Sequence, residues 1–322
     1  MGENHNLSEI GERNLIDIFL RELKMKYYDD GFVFKFGNAY LVVTSDGVSY
    51  NHIPRMNHYT AGWKVVTKNF SDLAAMFAKP LGFSLCVGLR RNEKAGDVKE
   101  VYKGVADALK KYDAKFFSGD TIEVRDFSLS GHAIGISRSP VYRAGAKHGD
   151  LLVVTGNIGD SAIAYKIINE DLTLKKKIKN KLVAKLFMPE ARVYEACELA
   201  NFNCVNACID ISDGLFYSAN ELAKRSNLGV VIFYNRIPFS KEFLEAANIL
   251  NLEKQEILKL LSVAEDYELM MAISPGKLAE IENDINFNLT PIGKFVKEEG
   301  VYLKNGRKIE KIEARGYEHF KT

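Results

Sequence analysis

What this 322-residue chain has little of narrows the possibilities before any motif is read. Cysteine occurs four times, at Cys86, Cys197, Cys204 and Cys208, too thinly for a disulfide framework. Only Cys204 and Cys208 are near neighbours, and no second pair completes a zinc site, so small buried thiols are expected. No apolar run approaches the roughly 20 residues that a membrane helix needs. Residues 1–13 are polar and lack the apolar core of a signal peptide, so a cytoplasmic protein with no membrane partner is expected. An excess of either charge is also missing. Lys and Arg number 44 against 42 Asp and Glu, a formal charge of +2, which argues against a chain that coats nucleic acid. The run Lys175, Lys176, Lys177, Lys179 and Lys181 has no interleaved aromatics and reads as a solvated helix face. Absent too are the Gly-x-x-x-x-Gly-Lys-Ser/Thr loop, the Gly-x-Gly-x-x-Gly turn, the Gly-x-Ser-x-Gly elbow and the His-Glu-x-x-His zinc helix.

What remains is an ordinary globular composition, 47% apolar and 27% charged, in a chain longer than one compact domain, so two lobes are expected. Apolar spacing predicts helices over 7–25, 59–77 (with Trp63 as core packing), 98–112, 160–168, 192–199 and 215–225. Apolar, β-branched runs predict strands over 31–36, 39–44, 83–89, 127–136, 150–155 and 206–210, with 114–117 leading into Ser118-Gly119-Asp120. Ser45-Asp46-Gly47 is expected to end its strand, and Pro80 and Gly82 to break the chain. Ser137-Arg138-Ser139-Pro140 has linker character and divides the chain into residues 1–138 and 139–322. Alternating strands and helices give an α/β (or α+β) class.

One pattern recurs: an apolar strand, a hydroxyl or glycine residue, then aspartate. It appears at Thr44-Ser45-Asp46-Gly47, Ser118-Gly119-Asp120-Thr121 and Asp210-Ile211-Ser212-Asp213-Gly214, with Phe70-Ser71-Asp72-Leu73 as a helical copy. Strand ends in α/β sheets are where ligands collect. Aspartates gathered there repel one another unless cations compensate. Carboxylates with hydroxyl neighbours suit about two or three Mg2+ ions and a substrate rich in phosphate. Ser-Asp-Gly is also a common turn and helix N-cap sequence that needs no metal, and spacing alone does not separate the two readings. The turn at 156–159 opens a helix; it is either an anion cradle or a tight connection.

Read in order, Thr44-Ser45-Asp46, the stretch Asn69-Phe70-Ser71-Asp72-Leu73-Ala74-Ala75-Met76, Gly119-Asp120-Thr121, Arg143-x-Gly145-Ala146-x-x-Gly149-Asp150, Thr155-Gly156-x-x-Gly159-Asp160-Ser161, Ile209-Asp210-Ile211-Ser212-Asp213-Gly214-Leu215, Glu265-Asp266-Tyr267-Glu268-Leu269 and Gly316-Tyr317-x-His319-Phe320 resemble the thiamine-monophosphate kinases. These belong to the aminoimidazole-ribonucleotide-synthetase superfamily. The likeness spans residues 7–320. It implies a homodimer whose N-terminal lobes (here 1–138, binding ATP and Mg2+) pair their mixed sheets into a barrel, with a C-terminal α/β lobe (139–322). It implies that Asp30, Thr44, Ser45, Asp46, Asp72, Asp120, Asp210 and Asp213 hold Mg2+, two ions or more. By the same likeness Gly119, Asp120, Arg143 and Ser212 serve ATP. His52, Glu265 and Tyr317 meet thiamine monophosphate, with Tyr317 as a stacking platform, and Asp72, Asp210 and Arg143 are the catalytic candidates. Three places depart from the family pattern, where Tyr28, Ser118 and Val263-Ala264 stand for glycines.

The implied reaction is direct transfer of the ATP γ-phosphoryl group to the phosphate of thiamine monophosphate, giving the diphosphate. Other ATP-using members of the superfamily and a non-catalytic nucleotide-binding dimer are the alternatives. The selenium-phosphate branch carries a reactive cysteine near its N-terminus; here the first cysteine is Cys86.

Overall fold

The computed structural model describes residues 6–25, 29–49 and 53–320. In chain order it runs α1 (Leu7–Glu22), β1 (Phe32–Phe36), β2 (Ala39–Ser49), α2 (His58–Ala75), β3 (Lys79–Leu89), α3 (Ala95–Lys111), β4 (Lys115–Glu123) and β5 (Ser128–Ser137). It continues with β6 (Leu151–Thr155), α4 (Asp160–Asn169), α5 (Lys176–Phe187), α6 (Val193–Leu199), β7 (Val205–Asp210), α7 (Leu215–Arg225) and β8 (Gly229–Phe233). After a 3-10 turn come α8 (Lys241–Ile249), α9 (Lys254–Leu261), β9 (Leu269–Ile273), α10 (Pro275–Ile281), β10 (Leu289–Val296), β11 (Gly300–Asn305) and β12 (Lys308–Ile312). The strands form two mixed sheets, β1-β2-β5-β3-β4 and β12-β11-β8-β10-β6-β9-β7. The expected α/β class with two layered halves is borne out.

Local chemistry explains the elements that matter for the site. Helix α2 starts on Asn57, whose side chain accepts from Thr60 N at 2.9 Å while Asn57 N donates to Thr60 Oγ1 at 3.1 Å, a reciprocal cap. Strand β5 alternates buried and exposed residues, as a strand with one covered face does. Strand β9 is buried at all five positions because β6 and β7 flank it and helices cover it. Trp63 is buried as expected and donates Nε1–H to the Pro189 carbonyl at 2.8 Å. Cys204 and Cys208 are buried, and all four thiols are free.

Three expectations are corrected. Strand β2 does not stop at Ser45-Asp46-Gly47 but continues to Ser49, with Asp46 opposite Gly131 of β5. Beyond Val43 strand β2 has no β1 neighbour, and Asn69 of α2 takes that place. Asp46 N donates to Asn69 Oδ1 at 3.1 Å, and Asn69 Nδ2 donates to Asp46 O at 3.1 Å. Pro80 and Gly82 lie inside β3, absorbed by a bulge against β5, so they bend the strand without ending it. Ser118-Gly119-Asp120 is strand too, because β4 pairs in parallel with β3 through Glu123. In each case cross-strand pairing outweighs local turn propensity.

Helices α2 and α3 approach so closely that a Cβ at Gly62 would lie 2.0 Å from Val101 O, and one at Gly104 2.0 Å from Tyr59 O. Only hydrogen fits there, and the close crossing sets the tilt of α2. Gly62→Ala is therefore expected to lower the unfolding free energy by about 1–3 kcal/mol, through overpacking against main chain. Denaturant unfolding followed by circular dichroism measures it; an unchanged midpoint would show that the helices separate freely.

Among the described residues no helix is long and apolar enough to cross a membrane. The lysine run lies on the exposed side of α5, as expected, with Lys175 paired to Glu245 at 3.0 Å and Lys181 paired to Glu242.

Candidate active site

Strand β7 ends on Asp210, α2 carries Ser71 and Asp72, and the segment entering β1 carries Asp29 and Asp30. The fold brings one carboxylate oxygen of each of Asp30, Asp72 and Asp210 within 4.8 Å of the others. Hydroxyls aim these groups. Thr44 Oγ1 donates to Asp72 Oδ2 at 2.6 Å, Ser71 Oγ to Asp210 Oδ2 at 2.7 Å, and Ser212 Oγ to Asp210 Oδ1 at 3.2 Å. Arg143 crosses from the inter-sheet segment to Asp30, with Nε 3.1 Å from Oδ2, and its main-chain N donates to Asp29 at 3.2 Å. One guanidinium against four carboxylates leaves the cluster short of positive charge. Burial, then the charge of Asp30, pushes Asp210 up to about 7, and burial with Asp210 as neighbour raises Asp72 well above the carboxylate range. Asp29 rises to about 6 by burial and the proximity of Asp30. Ser45, on the next position of β2, opens with Thr44, Asp29 and Asp30 onto a cavity of about 510 Å³.

A second group lies one helical turn back on α2. Lys64 and Lys68 precede Asp72 at steps of four, so all three share one face. Lys64 is 2% exposed and donates to Glu265 Oε2 at 2.8 Å and Leu186 O at 3.3 Å. Lys68 sits 3.2 Å from Asp46 Oδ1 and donates to Gly47 O at 3.2 Å. Asp213, in the turn before α7, is raised to about 7, chiefly by burial and against the pull of Lys68. Tyr267 is buried at a φ of 54°, a conformation that costs a bulky residue energy, and its hydroxyl donates to Glu265 Oε1 at 3.2 Å.

Three cavities meet at Tyr317. One of about 580 Å³ is lined by Ile53, Tyr165, Leu186, Leu260, Val263 and Glu265 among others; a polar one of about 170 Å³ by Asp46, Lys64, Lys68, Ser212, Asp213 and Glu265. The third, about 160 Å³, holds Arg143, Asp210, Ser212 and Asp213. Tyr317 N donates to Asp213 O at 2.9 Å, which ties the C-terminal segment to the site.

The structure thus gathers Asp30, Thr44, Ser45, Asp46, Asp72, Arg143, Asp210, Ser212, Asp213, Glu265 and Tyr317. Gly119 and Asp120 lie elsewhere. They stand on the exposed edge strand β4, three strands from Gly47 across the sheet, or about 14 Å at ordinary strand spacing. His52 and Tyr28 lie outside the described residues. Of the glycine departures, Val263 is exposed on the wall of the largest of the three cavities, and Ser118 is exposed on β4. The turn at 156–159 proves to be a connection rather than an anion cradle. Asp266 already caps α4, accepting from Gly159 N at 2.6 Å and from Ser161 N at 3.2 Å. Sequence reading missed Asp29, Lys64 and Lys68. The four-residue spacing of Lys64, Lys68 and Asp72 within an apolar helix was the signal that could have found the lysines.

Comparison with known proteins assigns the chain to a family. The family model of the AIR synthase related protein, N-terminal domain, matches residues 28–137, and that of the C-terminal domain matches residues 147–304. The chain is 36% identical to the thiamine-monophosphate kinase of Pyrococcus horikoshii, over 98% of both chains. It is 33% identical to that of Pyrococcus abyssi, over 96% of this chain and 95% of the relative. A solved structure described as AaThiL complexed with AMPPCP and TMP is similar at a TM-score of 0.89 and 25% identity, covering 99% of this chain and 100% of that one. The chain belongs to the thiamine-monophosphate kinase family, within the AIR synthase related proteins.

Proposed function

We propose that this protein transfers the γ-phosphoryl group of ATP to the phosphate of thiamine monophosphate, in a magnesium-dependent reaction that yields thiamine diphosphate. The observation that carries the reading is the joining of a partly apolar cavity, large enough for a heterocycle, to a carboxylate cluster through a small polar cavity at Glu265 and Tyr317. Such a layout suits a substrate with an aromatic body and an anionic head.

The donor set fits Mg2+. It offers only oxygen atoms, three of them within 4.8 Å, on carboxyls whose burial and mutual repulsion call for added positive charge. Asp30, Asp72 and Asp210, with Thr44, Ser45, Asp46 and Asp213 around them, would hold it. When bound, Mg2+ supplies neutralisation of the phosphate charges.

The chain's own groups do the positioning. A phosphate monoester has its second pKa near about 6, so the acceptor oxygen is already anionic and no general base is needed. That oxygen attacks the γ-phosphorus, the bond from phosphorus to the β–γ bridging oxygen breaks, and its electron pair leaves with ADP. Arg143 and Ser212 serve the nucleotide side. Glu265 and Tyr317, with His52, serve thiamine monophosphate, and Tyr317 supplies the flat face on which a ring stacks. Holding two polyanions in line is the main task, and pre-positioning accounts for most of such rate enhancement.

The functional unit in this reading is a homodimer in the cytoplasm, built of an N-terminal lobe (1–138) and a C-terminal lobe (139–322). Phe32, Phe34 and Phe36 on β1 and Phe116, Phe117 and Ile122 on β4 are exposed, an apolar load that a second copy closing the two sheets into a barrel would cover. Gly119 and Asp120 then reach a nucleotide site through the dimer. Incubation with ATP, Mg2+ and thiamine monophosphate should yield thiamine diphosphate; folded dimeric protein that forms none would sink the assignment.

The raised carboxyls also set a pH dependence. Because Asp210 and Asp213 stand near 7, above the roughly 4 of an unfolded chain, they favour folding while protonated. That contribution is lost as pH rises from about 4 to about 7, so the metal-free protein weakens over this window. Mg2+ reverses the loss, and its stabilising effect should grow between about pH 6 and about pH 8. Melting curves with and without Mg2+ measure this; a metal-induced shift that shrinks with rising pH would contradict it.

A further inference from the structure

The polar cavity between the other two poses an electrostatic problem. It shares Ile53, Glu265 and Tyr317 with the partly apolar cavity, and Glu12, Ser212, Asp213 and Tyr317 with the cavity that holds Asp210. Any ligand that runs from the partly apolar cavity to the carboxylate cluster crosses it. A phosphate ester crossing there carries a charge of about −1.5 to −2 past Glu12, Asp46, Asp213 and Glu265, all acids. Two lysines line the same wall. Lys64 is committed, because its buried ammonium is directed to Glu265, to the Leu186 carbonyl and toward the Tyr267 ring at 5.6 Å. Lys68 is placed differently. Its ammonium has three donors, of which two point to Asp46 and the Gly47 carbonyl on one side of the cavity. Its stem is packed in α2, its side chain is only 17% exposed, and main-chain pairing of β2 fixes the strand it leans on. A pre-positioned cation at this point costs little ordering entropy when an anion arrives.

We propose that Lys68 binds the phosphate of the acceptor substrate, between the cavity that takes the heterocycle and the carboxylate cluster. This inference rests on the phosphoryl-transfer reading above. The test compares wild type, Lys68→Met and Lys68→Arg in calorimetric titrations with thiamine monophosphate and with thiamine, which lacks the phosphate. Lys68→Met should weaken thiamine monophosphate by about 10- to 100-fold, the loss of one charge-assisted contact. Thiamine itself should bind within about two-fold of wild type, and Lys68→Arg should restore most of the loss. In steady-state assays KM for thiamine monophosphate should rise while KM for ATP stays unchanged. Equal weakening of both ligands would reveal a packing role and overturn the assignment, as would Lys68→Met binding the monophosphate like wild type. Should Lys68→Met fail to fold, Lys68→Gln replaces it, with the same outcomes. Wild-type protein that neither binds thiamine monophosphate nor forms the diphosphate overturns the functional reading and this one together. An active wild type with an indifferent Lys68→Met overturns this one alone.

Discussion

Asp210→Asn should lower turnover by about 10²- to 10³-fold, the scale for removing one preorganised electrostatic group, while leaving the fold intact. Asparagine keeps the shape and one acceptor oxygen for the hydroxyls of Ser71 and Ser212, which reach Asp210 at 2.7 and 3.2 Å. What it loses is the charge. Since burial and Asp30 already hold this carboxyl near 7, a neutral replacement relieves repulsion. The metal-free variant should therefore melt no lower than wild type at about pH 8, and the Mg2+-induced rise in Tm should shrink sharply. Loss of turnover without loss of stability separates this position from a structural carboxylate. Near-normal turnover would show that Asp210 plays no part in holding the cation.

Arg192→Met should destabilise the protein by about 3–5 kcal/mol, the range for breaking a buried ion pair from one side. Glu268 is 3% exposed and accepts from Nε and Nη2 along one edge of the Arg192 guanidinium and from Thr155 Oγ1 at 2.7 Å. Thr155 Oγ1 in turn accepts from Leu269 N at 2.9 Å, and Arg192 also reaches Glu195 at 3.0 Å. The network thus fastens the start of α6 to the ends of β6 and β9. Methionine fills the space of the arginine stem but leaves a buried carboxylate with a hydroxyl as its main support. Pairing Arg192→Met with Glu268→Gln should recover a large part of the loss, because the stranded charge is then gone. Denaturant titration of the two variants measures both effects. A single variant as stable as wild type would mean that Glu268 finds water or another cation.

Much of the architecture was legible because period is a local property. The apolar face of α2, the alternation in β5 and the apolar run of β6 all follow from side-chain direction in a helix or strand. The strand limits were misread at Asp46, at Pro80 and at Asp120 for one reason. A residue with turn propensity stays in a strand when a neighbour supplies its hydrogen bonds, and those neighbours, Asn69 and Gly131 for Asp46, are remote in sequence.

The site divides along the same line. The aspartates and their hydroxyl partners were visible as repeated short motifs, and family likeness attached roles to them. The commitment of Lys64, the cap that Asp266 places on α4 and the distance of Asp120 from the other carboxylates were not visible. The sequence by itself determined the class of fold, the family and the supply of oxygen ligands, because these rest on residue type and near spacing. Only the tertiary structure decided which carboxylates repel one another, which lysine is buried against Glu265 and which helix end is already satisfied. Those outcomes depend on distances of a few ångströms between groups far apart in the chain, where burial sets the strength of each charge.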